Sequence, residues 1–412
     1  MPYRKLIIFF KRSADFGIVN IFMMGYSVLF FLIVLPALTL GYVLGQYHYI
    51  LIDGARFGPL MTDCDRLLRM QICAQNKKNK KIRYVGLVDC FVNNDLRILL
   101  ERHMSFIVSP LLRRVIIQVV AKFSFIKKIP FIISRDISNN AYVFSKCPTP
   151  EKFSEEDEEK GQNALLEMGI GPDDWFICFH ARTSTYLDSL NVKRDWSYHD
   201  YRDSSIKNFY KMVDKVVEQG GVAIRMGAIG EEPLEMPSSP KIIDYANEYK
   251  TDFLDLYLSA KCKFFIAGGG SGLGSASMFF DVPVAWSNLI PVPFLPWQRN
   301  NLFIPKLLWC QTKERLLTFD EMQEAGVFQL GSGADVSDHY KSRGLELVQN
   351  DEDDILDLYL EMLDRLNDVE QDQEEMKLQN KFRERYFNHE PDFEWGGDIG
   401  GRFLKKHFFL FD

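Results

Sequence analysis

His180, Arg182, Thr183, Ser184 and Thr185 stand within six residues of one another, in the segment WFICFHARTSTYLD at 175–188. The apolar, aromatic start of that segment suits a buried strand. Its polar end then falls at the strand's C-terminal edge, where open α/β sheets bind ligands. An arginine there suits a phosphate, because its planar fork donates two parallel hydrogen bonds. The alternative is a local ion pair between Arg182 and a carboxylate such as Asp188.

A second group lies at 268–274, where a strand expected at 263–267 runs into GGGSGLG. Glycines between a strand and a helix let the backbone approach a phosphate, and the helix N-terminus offers amide donors. Gly270, Ser271 and Gly272 are the candidate donors. The run fits neither G-x-G-x-x-G nor a P-loop. It is read as an anion-binding turn of no particular family, against the alternative of a connection needing glycine only for packing. Arg225 ends the strand expected at 222–226. In a parallel sheet it emerges at the same edge as Arg182, and two arginines with a glycine turn describe a diphosphate site. For Arg225 the alternative is an ion pair with Asp244 or Glu231. Asp203 or Ser204 reads as a helix N-cap, and Asp63-Cys64-Asp65 as helix N-terminal charge rather than a metal site.

Alternating elements must position these groups. Strands are expected at 48–53, 82–89 and 105–109, with helices at 60–73, 95–102 and 111–120. After a Pro- and acid-rich stretch at 148–160 the rhythm repeats. Strands are expected at 176–181, 222–226, 241–245, 263–267 and 282–286, with helices at 204–219, 252–261, 275–280, 316–324 and 350–366. Asn350 is the expected cap of the last helix. Such alternation implies parallel sheets.

The 412 residues suffice for two domains and an appendage, and 47% hydrophobic content with 33 Phe and 17 Tyr marks a folded chain. A net charge of −7 argues against a nucleic-acid partner. The seven cysteines show no C-x-x-C pair and no zinc spacing, which fits a reducing compartment better than a disulfide framework. The basic loop KKNKK at 77–81 reads as a solvated turn.

Residues 18–44 are mostly apolar, with no charge between Asp15 and Asp53, and Arg4, Lys5, Lys11 and Arg12 precede them. That length can span a bilayer, and the flanking charge keeps the N-terminus cytoplasmic. Pro36 is expected to kink the segment. It is read as membrane-associated without full translocation, against a full span or a helix packed on a soluble body.

Several segments resemble a family of bacterial surface-polysaccharide glycosyltransferases. They are HARTSTYLD, DYRDSSIKNFYKMVDKVVEQGGVAIRMG, IIDYANEYKTDFLDLYLSAKCKFFIAGGGSGLG, NLFIPK and GLELVQNDEDDI, with a weaker echo at ILIDGARFGPLMTDCDRLL. More distantly, His180-Ala181-Arg182 resembles the H-x-R motif of fucosyltransferases with two Rossmann-like domains, the GT-B architecture. The resemblance implies an α/β chain of two Rossmann-like domains behind a hydrophobic membrane-associated segment. The expected division is a segment at 1–46, an acceptor domain at 47–170, a donor domain at 171–348, and C-terminal helices at 349–412 packing back on the body.

It also implies transfer of a hexose or deoxyhexose from a nucleotide sugar to a glycan or lipid-linked acceptor. Neither metal nor other cofactor is expected, and the location is the cytoplasmic face of the inner membrane. Arg182 would hold the β-phosphate, with Arg225 and Ser271 and its adjacent amides assisting, and His180 would orient Arg182 or the sugar. If the reaction inverts, a general base is expected from Asp53 or Asp89, at the ends of the first two strands. One departure stands out: the family expects an acidic residue directly after the Arg, and Thr183 occupies that place. The competing class is a non-catalytic nucleotide- or glycan-binding protein of the same fold, anchored at the membrane. A nicotinamide-dependent oxidoreductase is disfavoured by the failed dinucleotide fingerprint.

Overall fold

A computed structural model describes residues 24–76, 83–129, 131–133, 140–149, 153–185, 197–291, 296–329, 335–387 and 396–412. The loop at 77–81, Asp188 and the four basic residues ahead of the apolar segment lie outside the described residues. The chain divides into two compact units, Met1–Asp136 and Ile137–Asp412. Both are built on parallel sheets, as the alternation requires.

The first unit opens with α1, Met24–Gly45, the one helix among the described residues long and apolar enough to cross a membrane. Pro36 does not break it. A wider π-turn at Phe30–Val34 precedes the proline, which relieves the clash a proline ring makes with the preceding turn. Helix α1 buries Phe30, Val34 and Leu38, one stripe at i, i+4 and i+8. The chain then reverses at Gln46, in the left-handed region at φ 55°, straight into β1, Tyr47–Leu51. There follow α2, Phe57–Asn76; β2, Arg83–Val88; α3, Asn94–Glu101; β3, Ser105–Val108; α4, Pro110–Lys122; and β4, Ile132–Ile133. The sheet order is β3-β2-β1-β4, parallel throughout. Asp63 and Asp65 do not form an N-terminal charge pair: both lie inside α2, and Asp65 is buried in an ion pair with Arg69 at 2.7 Å.

In the second unit α5, Glu155–Glu167, starts on a capping box made by Ser154 and Asp157. Gly161 lets it lie against Tyr257, where a Cβ would fall 2.1 Å from the ring. The acid-rich stretch expected to act as a linker is thus integral to this unit, and the division falls at 136/137 rather than near 170. Strand β5, Phe176–His180, is buried at every residue. Then come α6, Tyr210–Glu218; β6, Val222–Arg225; β7, Ile242–Ile243; α7, Asp252–Lys261; β8, Phe265–Gly268; α8, Gly272–Phe279; β9, Val284–Leu289; and β10, Leu302–Pro305. A small antiparallel sheet of β11 (Leu307–Cys310), β12 (Arg315–Leu316) and β13 (Leu345–Val348) follows, then α9, Glu352–Leu366, and α10, Gln373–Tyr386. The chain closes with β14, Asp398–Ile399, and α11, Gly401–Lys406.

The main sheet has the order β14-β10-β9-β8-β5-β6-β7 and is parallel at every pairing. From β5 the chain builds outward to β6 and β7, then returns to β8 and builds the other way. Strands β5 and β8 therefore flank the point where the winding reverses, the place in such sheets where loops part and a ligand can enter. Because β14 pairs with β10, the C-terminal helices belong to the body of the sheet. Asn350 does not cap α9: Asp351 does, in a capping box with Asp354. Asn350 is fully buried, accepting from Asn288 N at 2.6 Å and donating to Pro305 O at 2.9 Å, so it ties α9 to β9 and β10.

Five cysteines are free thiols, Cys64, Cys90, Cys178, Cys262 and Cys310, while Cys73 and Cys147 are disulfide-bonded. The reading of the whole set as reduced fails for those two.

Candidate functional site

Three expected groups meet at the reversal point. His180 is the last residue of β5 and lies beside Ala267 of β8. Its Nδ1 is 2.8 Å from Ser271 Oγ, and Ser271 caps α8, its hydroxyl accepting from Leu273 N at 3.3 Å. One buried imidazole thus fixes the helix N-terminus. Gly272 and Leu273, in the first turn of α8, are only half-buried, so that turn lies at an accessible edge.

Arg182 is buried two residues further on. Its Nη1 donates to His199 O at 3.3 Å and to Asp203. Both bonds use Nη1, so Nε and Nη2 make none with the described residues. The local ion pair expected as the alternative is present, but its carboxylate is Asp203. Asp203 is therefore an ion-pair partner, and the helix is entered through Ser205, whose hydroxyl accepts from Lys207 N. Ser204 Oγ is buried with no hydrogen-bond partner among the described residues.

Two further cations gather here that the sequence reading missed. Arg202 ends the 3-10 turn Ser197–Arg202 and donates to Gly269 O at 2.9 Å and to Gly270 O. Lys306, directly after β10, donates to Tyr201 O at 3.0 Å and Asp203 O at 2.5 Å. Burial and the neighbouring Arg202 pull Arg182 down to about 10, and burial with Arg182 pulls Lys306 down to about 8. Burial is the larger cause in both, the neighbouring cation adds to it, and an anion placed beside them would favour their charged forms. A lysine at the end of an apolar strand was the available signal. It stood in NLFIPK, quoted only for resemblance.

The glycine run is explained in large part by packing. A Cβ on Gly269 would fall 2.0 Å from Arg202 O, one on Gly270 2.8 Å from Arg202 Nη2, and one on Gly268 2.7 Å from Ser204 Oγ. Gly269 and Gly270 also take φ +60° and +68°. Glycine at these positions admits the Arg202 turn, so Gly270 need not touch a ligand to be required.

Arg225 follows the ion-pair alternative. It is buried at the end of β6, with Nη1 2.8 Å from Asp244 and Nη2 3.4 Å from Glu231 and 3.2 Å from Glu232 O. Its guanidinium is engaged chiefly by Asp244, with Glu231 and Glu232 O beside it. Glu231 is the other residue missed. Its carboxylate accepts from Thr183 Oγ1 at 2.9 and 3.0 Å and lies 4.0 Å from His180 Nε2. Thr183, the departure from the family pattern, thus holds a carboxylate supplied from another loop.

Burial, helped by the charges of Arg225, Arg182 and Lys250, drives His180 down to about 3, so the ring is neutral. Burial pushes Glu231 up from the ordinary carboxylate value, against Thr183 and Arg225, which favour its charge.

Asp53 and Asp89 belong to the first unit. Asp53 pairs with Arg56 at 2.8 Å, and Asp89 with Arg113 at 3.4 Å, while Asp89 Oδ1 also accepts from Cys90 N at 3.1 Å. Both remain partly exposed beyond the C-terminal ends of adjacent strands β1 and β2.

No protein-family model matches the chain, and no curated protein does. Eleven chains of solved structures overlap it. The E. coli ADP-heptose LPS heptosyltransferase II aligns at 11% identity and a TM-score of 0.35, over 58% of this chain and 84% of that one. A glycosyl transferase family 9 structure from Veillonella parvula aligns at 11% identity and 0.38, over 58% and 80%. The E. coli heptosyltransferase WaaC with ADP aligns at 11% identity and 0.31, over 62% and 90%. Likeness at this level leaves the chemistry to the residues of the site.

Proposed function

We propose that this protein is a glycosyltransferase of GT-B type that moves a sugar from a nucleotide donor to a glycan or lipid-linked acceptor at a membrane. The observation that carries the reading is the reversal point of the seven-stranded sheet. There Arg202 bonds the glycine turn ahead of α8, Arg182 and Lys306 bond the 199–203 turn that carries Arg202, and a neutral His180 holds Ser271 in place. Cations beside helix amides suit a diphosphate, and that group leaves when the acceptor hydroxyl attacks the anomeric carbon. The acceptor oxygen bonds to that carbon, its C–O bond to the β-phosphate breaks, and nucleoside diphosphate departs with the electron pair. Arg182 stabilises the charge growing on the leaving oxygen. His180, neutral and hydrogen-bonded to Ser271, orients the turn rather than adding charge.

The acceptor proton passes to a general base, for which Asp53 and Asp89 are the candidates. No metal is required in this scheme, since the protein's own cations meet the diphosphate. The sugar is a hexose or deoxyhexose, and the location is the cytoplasmic face of the inner membrane. The basic residues ahead of the apolar segment support that side.

One observation favours a second reading, a membrane-anchored binding protein without catalysis: both candidate bases are tied to arginines. Chromatography of a panel of nucleotide sugars after incubation with the protein and membrane lipid extract separates the two. Released nucleoside diphosphate that disappears in Asp53→Asn or Asp89→Asn supports transfer. Donor binding with no release supports the binding protein.

A further inference from the structure

The first unit carries a charge that the whole chain conceals. Residues 1–136 hold 20 Lys and Arg against 8 Asp and Glu, a balance of +12, while the remainder holds 29 against 48, a balance of −19. Between Glu101 and Asp136 there are seven Lys or Arg and no carboxylate.

The same unit exposes a ridge of apolar side chains. Helix α1 is anchored on one side by Phe30, Val34 and Leu38, which pack with Val115, Ile116 and Val119 of α4 and with Tyr49 of β1. Gly41 sits close against β1, where a Cβ would fall 2.1 Å from the Tyr49 hydroxyl. The other side points outward: Leu32 is 72% exposed, Ile33 61% and Leu44 77%. The ridge continues off the helix. Phe31 stacks on Phe125 at 6.4 Å and meets Phe123 at 5.6 Å, and Phe125 is itself exposed. Exposed Lys122 and Lys128 adjoin this continuation in sequence, with the Lys122 ammonium 5.5 Å from the Phe123 ring centroid, and Arg114 is exposed on α4 ahead of them.

We propose that the first unit docks on the surface of an anionic lipid bilayer, with α1 lying in the interface rather than crossing it. An apolar ridge beside uncompensated cations matches acyl chains beside anionic headgroups. A crossing helix would have to leave the sheet, stripping Phe30, Val34 and Leu38 from the core and uncovering Val115, Ile116 and Val119. The loop after α1 is a single reversed residue, Gln46, too short to let helix and sheet part. A nucleic acid would meet the charge but leave the ridge in water. The proposal rests on the membrane association given above and is independent of glycosyl transfer.

The test uses the full chain with large unilamellar vesicles of phosphatidylcholine, with or without phosphatidylglycerol. Phosphatidylglycerol is expected to tighten binding roughly tenfold or more, with the gain lost at high salt. Combining Arg114→Glu, Lys122→Glu and Lys128→Glu removes the gain. Leu32→Glu with Ile33→Glu abolishes binding to both vesicle types while thermal unfolding stays cooperative.

A coumarin amino acid at Leu32 or at Leu44, quenched by brominated lipids, reports one common depth. A crossing helix would separate the two by roughly 18 Å, at about 1.5 Å per residue. Unequal depths, indifference to phosphatidylglycerol, or RNA binding that survives Leu32→Glu with Ile33→Glu and displaces vesicles would each overturn the proposal. Thermal response to nucleoside diphosphates, read on the same variants, separates a failure here from a failure of the sheet-edge reading.

Discussion

His180 sits near a pKa of about 3 in the fold against about 6.5 in an unfolded chain, so between those values the unfolded state takes up a proton that the fold refuses. The stability linked to the neutral ring is complete above about pH 6.5 and drains as pH falls toward 3. His180→Gln is therefore expected to flatten the loss of urea midpoint between about pH 7 and pH 4.5, although Glu231, Arg182, Arg225 and Lys250 remain. An equal loss in both proteins would show that His180 is not the buried neutral ring described. Lys306 gives a second residue-level prediction. Its depressed pKa of about 8 rises when an anion arrives, so binding at about pH 8.5 takes up protons. Calorimetry in buffers of different ionisation enthalpy reads that uptake, and Lys306→Met removes it. His180, Arg182 and Ser271 were legible because strand, motif and turn lie close in sequence. Glu231 was legible only as a partner for Arg225, because nothing local ties it to Thr183. Lys306 offered only its place at the end of an apolar strand, because its position beside Arg182 depends on sheet order.

The turn at 268–271 is where an element decides the site. Gly269→Ala adds a Cβ 2.0 Å from Arg202 O in a left-handed conformation. A destabilisation of roughly 2–4 kcal/mol is expected, about 1 from the backbone and the rest from forced displacement of the Arg202 turn. Gly220→Ala, also left-handed but with no atom within 4 Å, is the control at about 1 kcal/mol. Equal losses of melting temperature would mean that Arg202 does not pack as described. Elements with strong local signals, such as the apolar strand at β5 and the capped α7, stand close to where periodicity put them. The small antiparallel sheet β12-β11-β13 and the pairing of β14 with β10 escaped, because short strands of two to four residues draw their stability from partners far along the chain.

At the scale of the molecule, two parallel α/β units follow from the repeated strand–helix rhythm, whereas their boundary does not. The acid-rich stretch before α5 looks like a linker in composition, yet Ser154 caps a helix whose Glu158 bonds Tyr257 and Lys261. Whole-chain charge hides a similar division, since −7 is the difference between a basic unit and an acidic one. The central claim is that the reversal point of the seven-stranded sheet binds the diphosphate of a nucleotide sugar, chiefly through Arg182. Isothermal titration of the full chain with ADP, GDP, UDP and their sugars tests it most directly. At least one is predicted to bind, with affinity falling roughly 10- to 150-fold in Arg182→Ala, the loss of a charge-assisted phosphate contact worth about 1.5–3 kcal/mol. Binding of none of them, or binding unchanged in Arg182→Ala, would contradict the account.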